Sequence, residues 1–157
     1  MAEATFYYKN ENAPATNQPP SIGVVALIVQ DGRLLLERRS DSPRWAIIGG
    51  AIRRDESLLD GLYREVREET GLKVKRCELF GTFSDPSRIA AFPNGNVKRI
   101  ITIAYKVEVE PFVELIRSEE SIELRFMDMS ELGCIRIAET HLPIIEHYKN
   151  GSLFVME

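Results

Sequence analysis

Residues 50 to 72 read GAIRRDESLLDGLYREVREETGL, and the fold turns on how the middle of this stretch is read. Ser57 has the short oxygen-bearing side chain of an N-cap, and Gly71 followed by apolar Leu72 is a helix stop. With Glu65 at zero and 100° per residue, Leu58, Leu62, Val66, Leu59 and Tyr63 fall between about 20° and 160°. That stripe is wide enough to bury on a sheet. Glu65, Glu68 and Glu69 fall at about 0°, 300° and 40°, an acidic arc along one edge of the stripe. Gly61 lands at about 320°, one turn before that arc, where a missing side chain would let a chain segment or a ligand approach.

The acidic arc breaks two local rules at once. Like charges three and four residues apart repel, and the last turns of a helix disfavour negative charge because of the macrodipole. Broken rules in one place point to a functional site. A divalent cation is the simplest compensation, since carboxylate oxygens suit Mg²⁺. An acidic, solvated surface helix is the competing reading.

Outward from this stretch, 157 residues with 44% hydrophobic content are expected to form one core. Residues 1–20, with Phe6-Tyr7-Tyr8 and then a polar run to Pro19-Pro20, read as an extension and linker; residues 21–157 read as the domain. The aromatic trio is a candidate edge strand or dimer contact, or a terminus packed on its own domain. Ile22 to Gln30 and Arg33 to Arg38 flank Asp31-Gly32 as a hairpin. Trp45 to Ile48, Val74 to Phe83, Asn96 to Val109 and Ile122 to Met127 read as further strands, and His141 to Lys149 as a second helix. Strands outnumber helices and several are linked by hairpins, so an α/β fold with a mixed sheet flanked by helices is expected. A net charge of −4 argues against a nucleic-acid polymer as partner. No apolar run reaches the length of a bilayer span, and the start lacks a signal-peptide layout. Together with two well-separated cysteines, read as buried reduced thiols, this predicts a cytoplasmic protein with no membrane partner.

The stretch 50–72 resembles the Nudix box, G-x5-E-x7-R-E-U-x-E-E-x-G-U with U aliphatic, at every specified position. The resemblance to the Nudix hydrolase (MutT-like) family implies an α/β/α sandwich and hydrolysis of a diphosphate linkage in a nucleoside diphosphate derivative, with Mg²⁺ or Mn²⁺. It implies Glu65 and Glu69 as metal ligands and Glu68 as a further ligand or water-activating base. Glu56 would reach the metals through water, Arg64 would orient a box glutamate, and a backbone carbonyl at Gly49 or Gly50 would complete the set. Many relatives have Leu-Pro-Gly-Gly before the box, where this chain has Ile47-Ile48-Gly49-Gly50; no ligand is lost by the difference. Relatives are often homodimers.

Specificity in that family comes from loops outside the box. Residues 84–95, SDPSRIAAFPNG, read as a loop able to close over the site, with Asp85, Arg88 and Asn94 as candidate substrate contacts. Arg88 could hold a phosphate by its fork or be an ordinary surface arginine. Pro86, fifteen residues past Gly71, resembles the spacing of ADP-ribose-cleaving relatives. Glu120 is a candidate extra metal ligand or a solvated acid, and Trp45 a base-stacking ring or a core residue. His141 and His147 carry no assigned chemistry. Three functions follow: a hydrolase of ADP-ribose or a nucleotide sugar, a MutT-like pyrophosphohydrolase of triphosphates including oxidised ones, and a non-catalytic nucleotide-binding domain.

Overall fold

The computed structural model describes residues 3–157. Helix α1 spans Leu58–Thr70, and its ends are those expected from the residues: Ser57 Oγ accepts from the Asp60 N–H at 3.0 Å and Asp60 Oδ2 from the Ser57 N–H at 3.1 Å. Gly71 sits at φ 74 and donates its N–H to the Arg67 carbonyl, ending the helix in the left-handed conformation that glycine tolerates.

Among the described residues, nine strands form one mixed sheet: β1 (Thr5–Tyr7), β2 (Ser21–Gln30), β3 (Arg33–Arg39), β4 (Trp45–Ala51), β5 (Val74–Phe83), β6 (Ile89–Ala91), β7 (Val97–Val109), β8 (Ser121–Met127) and β9 (Val155–Met156). The spatial order is β1-β6-β7-β2-β4-β3-β8, with β5 on the far half of β7 and β9 beside β5. Strands β2 and β7 run parallel from Ser21 opposite Ile100 to Ile28 opposite Val107, while β4 is antiparallel to β2. Alternation along β2 assigns its faces. Val24, Ala26 and Ile28 pack with Leu62, Val66 and Leu72 under α1, and Val25 and Leu27 pack with Ile144 and Ile145 of helix α2 (Leu142–Lys149). The architecture is therefore the expected α/β/α sandwich.

Three expectations are corrected. Leu58, Leu59 and Tyr63 are 37–45% exposed, because α1 is rolled toward its acids and buries Gly61, Leu62, Glu65, Val66, Glu69 and Thr70. Residues 84–95 are no free loop: Ile89–Ala91 pairs with β1 on one side and β7 on the other, which ties the segment into the sheet. Cys134 is exposed rather than buried. Phe6-Tyr7 belongs to β1, and Phe6 packs with Ala46, Ala90 and Ala138 of its own chain.

Candidate active site

The roll of α1 turns Glu65 and Glu69, 8% and 3% exposed, into a cleft of about 580 Å³ between the helix and the ends of β2, β3 and β4. Gly49 and Gly50 form its floor. A Cβ on Gly50 would stand 2.6 Å from Glu65 Oε1, so a larger residue there would push the carboxylate aside. Gly49, at φ 154, lies against the β2 backbone at Val24 and Val25, and its N–H points to Glu69 Oε2 at 3.4 Å. The clearance at Gly61 is filled by the Ile52 side chain.

The carboxylates divide between two partners. Arg64 gathers one set: its Nε donates to Glu56 Oε2 at 2.5 Å, Nη1 to Glu65 Oε1 at 2.8 Å and Glu68 Oε2 at 3.3 Å, and Nη2 to the Ala51 carbonyl and Glu56 Oε1. The guanidinium holds the Glu56 carboxyl well below its ordinary range. Glu69 has no such cation. Glu65 and Glu37 of β3 line the cleft beside it, and burial, followed by the charge of Glu37 and the neighbouring Glu65, pushes its carboxyl far up. Glu37, 5% exposed, is raised chiefly by burial as well, and its Oε2 has no hydrogen-bond partner. Because the acids are split in this way, no three His, Cys, Asp or Glu side chains among the described residues stand around a single point.

The donor set nonetheless fits a hard divalent cation: acids raised chiefly by burial and further by one another's charge, one unsatisfied oxygen, and a glycine backbone in contact with a carboxylate. Residues able to hold it are Glu65, Glu68, Glu69 and the Gly50 carbonyl. Glu120, exposed at the start of β8, lines the same cleft and adds to the upward push on Glu37. Glu56 stands behind Arg64 and acts on the arc through it.

Sequence reasoning missed Glu37. The run Leu34-Leu35-Leu36, all 0% exposed, is the available signal: a strand covered on both faces buries the next residue too. It also missed His141. That residue lines the cleft, and its Nδ1 accepts the Ile47 N–H at 3.1 Å. Burial, with Arg88 and Arg39 adding, pushes the imidazole down to about 3, so the ring is neutral and Nε2 carries its proton.

The substrate contacts read from the sequence are placed elsewhere. Arg88 is fully buried, and its donors are taken by the carbonyls of Thr140, Phe83 and Ile100 and by Thr102 Oγ1. Asp85 accepts from the Ser87 N–H and hydroxyl within its own turn. Asn94 caps the 92–96 turn by accepting from the Asn96 N–H. Trp45 is in the core, 7% exposed, with the Arg125 guanidinium 5.2 Å over its ring. The wall of the cleft is instead Phe6, Ala90, Phe92 and Ile100.

The model of the NUDIX domain matches residues 17–148. The chain belongs to the Nudix hydrolase family. Nudix hydrolases act on small nucleotide substrates and generally use a divalent metal. The chain is 32% identical over 138 residues to an ADP-ribose pyrophosphatase of Methanocaldococcus jannaschii, covering 84% of this chain and 76% of that one. It is 39% identical over 100 residues to a MutT-like protein of Streptomyces ambofaciens, covering 59% of this chain and 65% of that one. Among solved structures it resembles the MutT protein of Bacillus halodurans, with a TM-score of 0.70 and 25% identity over 87% of this chain and 86% of that one. No helix among the described residues is long and apolar enough to cross a membrane.

Proposed function

We propose that this Nudix hydrolase cleaves the diphosphate linkage of a nucleoside diphosphate derivative, ADP-ribose or a nucleotide sugar, with Mg²⁺ or Mn²⁺. The observation that carries the reading is that one continuous cleft joins the acid arc to an apolar, aromatic wall. A substrate with a charged middle and a flat end fits that division. ADP-ribose or a nucleotide sugar ranks first because the relative matched over 84% of this chain is named an ADP-ribose pyrophosphatase.

The chain's own residues would act as follows. Glu65, Glu68, Glu69 and the Gly50 carbonyl hold the cation, and Arg64 keeps Glu65 and Glu68 turned into the cleft. A metal bound there would offset the charge of the diphosphate and lower the pKa of a water. Glu68 or Glu69 accepts the proton of the attacking water. His141, neutral with Nε2–H free of its bond to Ile47, offers a donor in the same cleft.

The runner-up is hydrolysis of nucleoside triphosphates, favoured by the MutT-like relatives. A nucleotide panel assayed with each metal, with product identification, separates the two. Paired monophosphates are expected from ADP-ribose or a nucleotide sugar. Pyrophosphate plus a monophosphate, from triphosphates only, would favour the runner-up. No product from any nucleotide would sink both and leave a binding domain.

A further inference from the structure

Glu37 has no evident structural use. Strand β3 brings Leu34, Leu35 and Leu36 into the core and then places a carboxylic acid in the next position, 5% exposed. Its register partners are Ala46 on β4 and Leu124 on β8, neither of which can bond a carboxylate through its side chain. Arg39 is near, but its guanidinium is committed to Asp41 by two contacts of 2.7 Å. Glu37 Oε2 is buried without a partner, and the side chain lines the cleft alongside Gly49, Glu65 and Glu69. A leucine or valine would serve packing better, since a buried carboxylate with an open lone pair is destabilising.

We propose that Glu37 is a ligand of the divalent cation at the acid arc, supplied by β3 from outside residues 50–72. The inference rests on the reading of that arc as a cation site. Glu37, Glu65 and Glu69 line one cleft, and the charges of Glu37 and Glu65 both act on the Glu69 carboxyl. A cation drawing these carboxylates together would satisfy the unpartnered oxygen and relieve the repulsion of like charges, and oxygen donors of this kind suit Mg²⁺ or Mn²⁺. Glu37 stands on the strand that pairs with β4, opposite Ala46 and three residues before Gly49 in the β4 sequence, so sheet hydrogen bonds hold it in place against the glycine floor.

The test is a titration of the full-length, substrate-free protein with Mn²⁺, followed by electron paramagnetic resonance. Glu37→Gln is expected to weaken Mn²⁺ binding by about tenfold or more, as for lost groups around a metal. Glu37→Asp keeps the charge but withdraws the oxygens by one methylene; a ligand role requires that it also weaken binding clearly. Wild-type affinity in Glu37→Asp would reduce Glu37 to a through-space charge and overturn the proposal, as would wild-type affinity in Glu37→Gln. Metal-free Glu37→Gln is expected to melt at or above the wild-type temperature; were it not to fold, Glu37→Asp decides alone. If the wild type binds no Mn²⁺, the cation site itself falls, and this inference with it. If the wild type binds and both variants match it, only the role of Glu37 falls.

Discussion

Arg64 and Arg88 are both sheltered guanidiniums with all five N–H groups placed, yet they do opposite work. Arg64 is held by carboxylates inside the cleft, which raise its pKa, whereas Arg88 is held behind the cleft by carbonyls and a hydroxyl. With no carboxylate against it, burial pushes the Arg88 guanidinium down to about 10. The difference separates two uses of one side chain. Arg64 can trade its partners with an incoming cation, because carboxylates are what a metal also wants. Arg88 cannot trade, because its partners are the backbone of β5, β7 and the turn before α2. It is a staple, and it sets Thr140 and Thr102, which line the cleft.

Several outcomes would break or sharpen that contrast, beginning with the largest. Glu69→Gln should lower turnover by about three orders of magnitude or more, since it removes a ligand and a proton acceptor at once. Its circular dichroism should be unchanged, and near-wild-type turnover at saturating Mg²⁺ would remove Glu69 from the ligand set. Arg88→Met should cost about 3 kcal/mol or more in denaturant unfolding, because it strands several buried carbonyls; a cost under about 1 kcal/mol would deny the staple. Arg64→Lys should lower kcat about 10- to 100-fold while leaving stability nearly unchanged, because lysine keeps the charge and loses the fork. A stability loss as large as that of Arg88→Met would erase the distinction between the two arginines.

The fourth outcome concerns pH. Glu37 and Glu69 have raised carboxyls, so the folded protein binds more protons than the unfolded chain above the ordinary value of 4.5. Stability then falls as pH rises through that window. Metal-free protein should therefore melt a few degrees lower at about pH 8 than at about pH 5, and Mg²⁺ should recover the difference at the higher pH. Smallest of all, Asn94→Ala should change neither KM nor stability beyond about 0.5 kcal/mol. A raised KM would return the 92–96 turn to the substrate.

Local sequence made much of this molecule readable. The helix caps at Ser57 and Gly71, the Asp31-Gly32 hairpin and the alternation along β2 follow from contacts between near neighbours, and all appear in the structure. The acid arc was readable for the same reason, since 100° per residue fixes which side chains share a helix face. The rotation of that helix was not. A stripe centred on Leu62 and Leu59 looked self-sufficient, but the sheet accepts Leu62, Val66, Glu65 and Glu69 and leaves Leu59 and Tyr63 outside.

The substrate side was least readable, because its residues come together only through strand pairing. Phe6 and Phe92 share a wall because β1 and the 92–96 turn flank β6, and Glu37 comes into the cleft with Glu69 because β3 pairs with β4, on which α1 packs. Arg88 looked like a surface fork and became a buried staple when β5, β6 and β7 closed around it. Residues 50–72 by themselves determined a capped helix with three carboxylates on one arc, because helical geometry is local. Which carboxylates are buried, which fourth acid meets them, and what faces them across the cleft were decided by the tertiary structure, because burial and electrostatics depend on what packs from a distance.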